Sequence, residues 1–124
     1  MAVVVDASAV AAMVFGEAEG DDVRRRLKGH ELHAPSLIHY ELANVAWKKL
    51  RGARAHAEAT FAALAVAGRL NLHLTRPDPV AVLALAVATA LTPYDASYLW
   101  LARTMNLELI TLDERLRRAA ERLR

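Results

Sequence analysis

The chain is predicted to fold as one α/β domain, residues 1–124, with three layers in which helices cover both faces of a mostly parallel sheet of four or five strands. Two observations carry this. Short apolar or alternating runs, at 2–5, 31–34, 70–75 and 107–111, are separated by single or paired segments of helical periodicity; strands joined through helices run parallel and need cover on both faces. With 124 residues, 55% hydrophobic and 24% charged, the chain is long enough to bury a core and too apolar for disorder. It shows no internal repeat, low-complexity segment or linker.

Ala2 to Val5 is continuously apolar and reads as a buried strand. A helix from about Ser8 to Phe15 follows, then another from about Glu17 to Leu27 that ends at Gly29. Glu31 to Ala34 is a short second strand. Pro35 and Ser36 open a long helix to about Arg51, on which Leu37, Ile38, Leu42, Val45, Ala46 and Leu50 form an apolar stripe, and Gly52 breaks it. A further helix runs to about Ala67 and stops at Gly68. Leu70, Leu72 and Leu74 then alternate in a third strand to Thr75.

Asp78-Pro79 caps an Ala-rich helix. Its charge-free run from Pro79 to Pro93 is shorter than the roughly 17 residues of a membrane span, so it is expected to be buried in the core. Thr92-Pro93 starts the next helix, to about Met105, with proline at the first helical position and Asp95 three residues after a threonine cap. Leu107 to Thr111 is the last strand and Glu114 to Leu123 the last helix.

The absence of cysteine removes disulfides, thiolate nucleophiles and Cys-type zinc sites together, and suits a reducing cytoplasm. No basic leader precedes Asp6, so a soluble cytoplasmic protein without a secretory signal or membrane segment is expected. The net charge is only +2, but the basic residues cluster: Arg24, Arg25, Arg26 and Lys28; Lys48, Lys49, Arg51 and Arg54; Arg115, Arg117, Arg118, Arg122 and Arg124. Such clusters permit a polyanionic partner and equally suit solvated helix faces.

Four acids sit beside the most apolar segments: Asp6 in Val3-Val4-Val5-Asp6-Ala7-Ser8, Glu41 in His39-Tyr40-Glu41-Leu42-Ala43-Asn44, Asp95 in Thr92-Pro93-Tyr94-Asp95-Ala96-Ser97, and Asp113 in Ile110-Thr111-Leu112-Asp113-Glu114. Desolvating an unpaired carboxylate is expensive, and a bound cation is the simplest compensator. Asp6 and Asp113 fall at strand-to-helix junctions, at the sheet edge where parallel α/β folds bind ligands. Asp95 opens a helix toward that edge. Glu41, one turn inside its helix, shares the stripe of Leu37 and Val45 and faces the core side. Carboxylates suit magnesium and manganese, hard cations that prefer oxygen, and two such ions can activate a water and stabilise a leaving oxygen.

Each acid also has a plainer reading. Asp6 and Asp113 are favoured helix caps, Asp95 completes a capping box with Thr92, and Glu41 suits a surface ion pair. The histidines at 30, 33, 39, 56 and 73 lack paired zinc spacing and read as surface or core residues. Tyr40, Tyr94, Tyr98, Trp47 and Trp100 suit either base stacking or core packing.

The order and spacing of Asp6-x-Ser8, Tyr40-Glu41-Leu42-x-Asn44, Asp95-Ala96-Ser97-Tyr98 and Leu109-Ile110-Thr111-x-Asp113-x-x-Leu116 span nearly the whole chain. This pattern resembles the PIN domain, a family of small metal-dependent ribonucleases, and within it the VapC-like toxins of toxin–antitoxin pairs. The resemblance implies a PIN-like fold and a Mg2+- or Mn2+-dependent endoribonuclease in which Asp6, Glu41, Asp95 and Asp113 bind metal, directly or through water, and are catalytic. A metal-activated water would hydrolyse RNA to leave a 5′-phosphate and a 3′-hydroxyl. It further implies assistance from the Ser8 and Thr111 hydroxyls, which equally suit cap or strand-edge roles, RNA contacts from the basic clusters at 24–28 and 48–54, a homodimer, and inhibition by a small antitoxin; Asn44 suits a bond to substrate or Glu41 and equally an ordinary place on its helix. Two other readings compete. A haloacid-dehalogenase-like phosphatase would need an acid where Ser8 stands. A non-catalytic RNA-binding or interaction module would have no reason to keep four costly acids.

Overall fold

Val3, Val4 and Val5 are all buried, which consecutive strand residues achieve only when both faces of the strand are covered. The structure, a computed structural model, describes residues 1–52 and 56–123. Its elements run β1 (Ala2–Val5), α1 (Ala7–Val14), α2 (Gly20–Leu27), β2 (Glu31–Pro35), α3 (Ile38–Gly52), α4 (Ala57–Gly68), β3 (Leu72–Thr75), α5 (Pro79–Thr89), α6 (Pro93–Met105), β4 (Glu108–Ile110) and α7 (Glu114–Arg122).

The four strands form one parallel sheet in the order β3-β2-β1-β4. Val4 lies between His33 of β2 and Leu109 of β4. Helix α6 packs across β1, β2 and β4 and carries α5 and α7 on its flanks, while α1 gathers α2, α3 and α4. The chain moves outward from β1 through β2 to β3, then crosses back to place β4 on the other side of β1. That reversal makes the carboxyl end of β1 and β4 a topological switch point, where open α/β sheets form their binding crevice.

The structure moves several predicted boundaries for local reasons. Glu17 donates its N–H to Ala12 and Gly20 donates to Glu17, so the chain turns there and α2 begins at Gly20. The Leu70 N–H is taken by the Ala67 carbonyl at the end of α4, which delays β3 to Leu72. Gly20 is buried, and a Cβ built on it would lie 2.3 Å from the Ala12 carbonyl oxygen. Gly20→Ala is therefore predicted to push α2 off α1 and cost about 1–3 kcal/mol, as overpacking does. Urea denaturation of the two proteins measures this, and an unchanged midpoint would mean the two helices separate freely.

One expectation is corrected. The Ala-rich helix α5 is not buried: only Val82 and Ala86 are inside, while Val80, Leu83 and Val87 are 77%, 58% and 78% exposed. The helix rests on α6 alone among its principal neighbours, and the i, i+4 pair Val82 and Ala86 suffices for that contact. Its other apolar stripe faces outward. Among the described residues no single helix is long and apolar enough to cross a membrane.

Candidate active site

The sheet delivers the acids to one edge. Asp6 follows β1 directly, and its N–H donates to the Ile110 carbonyl at 3.2 Å, adding one bond to the ladder before the chain turns into α1. Its extended backbone makes it the N-cap of α1, and Oδ1 accepts the Ala9 N–H at 3.0 Å. Glu41 stands in the first turn of α3, just beyond β2. Asp113 follows β4 and caps α7, with Oδ1 accepting from the Arg115 and Leu116 N–H groups at 2.9 and 3.1 Å. Asp95 lies in the first turn of α6, whose cap is Thr92; the Thr92 hydroxyl accepts the Asp95 N–H at 3.1 Å. The reciprocal bond of a capping box, from the Thr92 N–H to the Asp95 carboxylate, is not formed among the described residues. The Asp95 carboxylate keeps the Thr92 hydroxyl as a hydrogen-bonding neighbour while standing at this edge. Asp6 and Asp113 combine a capping role with a place at this edge.

Asp6 is 4% exposed, yet both its oxygens are held by hydroxyls. The Ser8 Oγ accepts the Leu112 N–H at 2.9 Å and donates to Asp6 Oδ1 at 2.7 Å. The Thr111 Oγ1 accepts the Asp113 N–H at 3.0 Å and donates to Asp6 Oδ2. Each hydroxyl accepts one N–H from the loop between β4 and α7 and gives its single proton to Asp6. The loop backbone thereby orients a carboxylate as a pure acceptor. Glu41 is oriented by Tyr98, whose hydroxyl donates to Oε1 at 2.5 Å. Tyr98 is otherwise buried, and burial together with the Glu41 carboxylate drives its phenol far above the ordinary range, so it stays a donor.

Burial is the main reason the carboxyls of Asp6, Glu41 and Asp95 all rise above the ordinary range. Neighbouring charge adds to each: Asp113 acts on Asp6 and on Asp95, while Asp95 and Asp6 act on Glu41. Opposing these are the hydrogen bonds to Asp6, Glu41 and Asp95, and one cation, Arg115 beside Asp95. The Arg115 guanidinium is tied down by a 3.1 Å bond from Nη2 to the carbonyl of Ala90. Ala90 ends α5 in the left-handed region at φ 59°, a conformation that costs a non-glycine residue on the order of 1 kcal/mol.

Among the described residues, four carboxylates against one guanidinium leave an uncompensated negative edge whose donors are all oxygen, as hard divalent cations require. Among the described residues, no three acidic or imidazole side chains converge closely enough to cage an ion by themselves. An ion held here would have to keep several waters, as magnesium ordinarily does.

Two contributors escaped the sequence. Tyr98 belongs to the Asp95-Ala96-Ser97-Tyr98 string but reads there as no more than a stacking or core residue, although its spacing of i+3 from Asp95 puts both on one side of α6. Arg115 read as one of a basic run, although it is two residues past Asp113. Asn44, exposed one turn beyond Glu41, borders the same cleft. Two of the histidines pair with each other: His33 bonds Glu31 at 2.6 Å and stacks on His73 at 4.9 Å across β2 and β3. Trp47, Tyr40 and Tyr94 are exposed.

The basic cluster at 24–28 is largely matched within the chain, Arg24 by Asp21, Arg25 by Asp22 and Arg26 by Glu108 at 3.2, 3.4 and 3.5 Å. At 48–54, Lys49 meets Glu17 at 3.1 Å and Arg51 lies over Trp47 at 4.7 Å; Arg54 lies outside the described residues, as does Arg124.

Comparison with known proteins agrees with this geometry. Residues 3–122 match the family model of the PIN domain. Ribonuclease VapC3 of Pyrobaculum aerophilum is 33% identical over 121 residues, which cover 94% of this chain and 92% of that protein. The crystal structure of PAE2754, also from Pyrobaculum aerophilum, superposes with a TM-score of 0.78 at 28% identity, covering 99% of this chain and 92% of that one. VapC20 of Mycobacterium tuberculosis, a toxin that cleaves the sarcin-ricin loop, shares the fold with a TM-score of 0.68 at 16% identity over 95% of each chain. A four-stranded parallel sheet with acids gathered at its switch point, a full-length family match and a relative of nearly equal length leave one assignment: the chain belongs to the PIN domain family.

Proposed function

We propose that this protein is a Mg2+- or Mn2+-dependent endoribonuclease, the toxin of a toxin–antitoxin pair, with Asp6, Glu41, Asp95 and Asp113 as its metal-holding and catalytic residues. The observation that carries the reading is the uncompensated acidic edge at the switch point, where a buried Asp6 is locked as an acceptor by two hydroxyl relays. The name of one relative, a ribonuclease, and the description of another protein of this fold as a sarcin-ricin loop cleaving toxin support it.

When bound, the metal would lower the pKa of a water and stabilise developing charge at the phosphate. The chain's own residues prepare for that. Ser8 and Thr111 hold Asp6 in one orientation, Tyr98 holds Glu41, and the tethered Arg115 offers a fixed cation at the rim that suits a phosphate oxygen. No residue of the chain needs to act as a nucleophile. The reading includes a cytoplasmic protein with an RNA substrate, an inhibiting small antitoxin and a homodimer. The outward stripe of Val80, Leu83 and Val87 supports a protein partner or second copy, since apolar area of this kind gains from being covered.

The test is direct. Purified protein is expected to cut RNA with magnesium or manganese, and to leave it intact with EDTA or with calcium alone. RNA that is bound and never cut under any of these conditions would favour the non-catalytic module instead.

A further inference from the structure

Next to Glu41 lies a notch of about 360 Å³ whose lining includes two tyrosines, Tyr40 and Tyr94. We infer that this notch is a nucleobase subsite, which takes one unpaired base of the RNA beside the bond to be cut and stacks it on Tyr40 and Tyr94. The inference rests on the ribonuclease reading for its substrate, and on four observations for its location.

The tyrosines are not packing residues. Tyr40 is 80% exposed and Tyr94 65% exposed, and neither hydroxyl bonds another described residue. Large rings left in water contribute nothing to the core, whereas a flat π-face in a cleft is a sequence-tolerant platform for bases. Their position is also informative. Tyr40 immediately precedes Glu41 and Tyr94 immediately precedes Asp95, so a base between them belongs to a nucleotide adjoining the acidic edge.

The lining selects a neutral group. Leu37 and Val45 add apolar lining, Glu41 borders it, and among the described residues no lysine or arginine does. A phosphate would meet a carboxylate with no cation to offset it, but a base meets only apolar and hydrogen-bonding surface. Asn44, exposed at the same notch, supplies a donor and an acceptor for a base edge.

The experiment measures binding apart from cleavage, in calcium, with fluorescently labelled oligo-A, oligo-U and an abasic oligomer of equal length. Tyr40→Ala and Tyr94→Ala are each expected to weaken binding of the base-bearing oligomers by roughly ten-fold, within the range for loss of one stacked base. Tyr40→Phe and Tyr94→Phe should bind as wild type does, and the abasic oligomer should bind all variants alike. Both positions are exposed, so the variants are expected to fold, and circular dichroism checks this. Unchanged affinity of the Ala variants overturns the subsite, as does equal loss in the Phe variants or a wild type that fails to distinguish abasic from base-bearing strands. The two readings fail separately. Ala variants that bind normally while wild type cuts RNA in magnesium would remove the subsite alone, whereas base-dependent binding without any cleavage would remove the nuclease and leave the subsite.

Discussion

Asp6→Asn is expected to reduce RNA cleavage by at least roughly 100-fold, the upper end of what loss of even an outer-shell partner of a metal costs, while the protein stays folded. The chemical change is small and falls on the acid that everything else orients. Asn remains a good N-cap for α1, so the bond to the Ala9 N–H survives. Oδ1 also accepts from Ser8, so keeping that bond places the amide nitrogen opposite the Thr111 hydroxyl, which donated to Oδ2 and already accepts the Asp113 N–H. One hydroxyl proton then loses its acceptor, at a cost of about 1–3 kcal/mol. Relief from holding a buried carboxylate beside Asp113 offsets part of that. A modest change in melting temperature with loss of activity is the expected pair of results. Cleavage rates in magnesium, measured beside melts of the same samples, decide it, and a mutant that cuts RNA at the wild-type rate would sink the assignment of Asp6.

How much of this was legible in the sequence depends on the range of the interaction. The run Val3-Val4-Val5-Asp6 announces a doubly covered strand that ends in an acid, because burial of consecutive residues is a local pattern. The relays that hold Asp6 are not local. Thr111 reaches Asp6 across 105 positions and Leu112 reaches Ser8 across 104, and both depend on backbone N–H groups that carry no side-chain signature. The order β3-β2-β1-β4 is likewise silent in any single segment, although it alone makes β1 and β4 neighbours. Helix α5 shows the converse failure. Val80, Leu83 and Val87 form as good an apolar stripe as Val82 and Ala86 do, and periodicity cannot say which one the fold turns inward. The capping box was half right for a related reason: Thr92 does cap α6, but the Asp95 carboxyl also stands beside Asp113 and Arg115, which come from a distant segment.

That choice at Asp95 gives the second large effect. Manganese or magnesium that binds only the folded chain should stabilise it by about 2.7 kcal/mol at a hundred times the dissociation constant, which for a domain of this size raises the melting temperature by roughly 10 °C. Without metal the balance reverses. The carboxyls of Asp6, Glu41 and Asp95 rise on folding, so the native state holds protons more tightly than the unfolded chain. The resulting contribution to stability is fully present below the unfolded-state pKa of about 4 and is lost as pH climbs through the folded values. At neutral pH these acids therefore oppose folding, and metal relieves the strain. Asp95→Asn should remove part of that opposition, so that in EDTA at neutral pH the mutant melts at or above the wild-type temperature. Its manganese shift should be visibly smaller, because one oxygen donor has gone. A capping acid predicts the contrary pattern, since an amide would forfeit its attraction to the positive end of α6. Melts of both proteins in EDTA and in manganese separate the two, and a destabilised mutant that keeps the whole manganese shift would return Asp95 to a helix-terminal role.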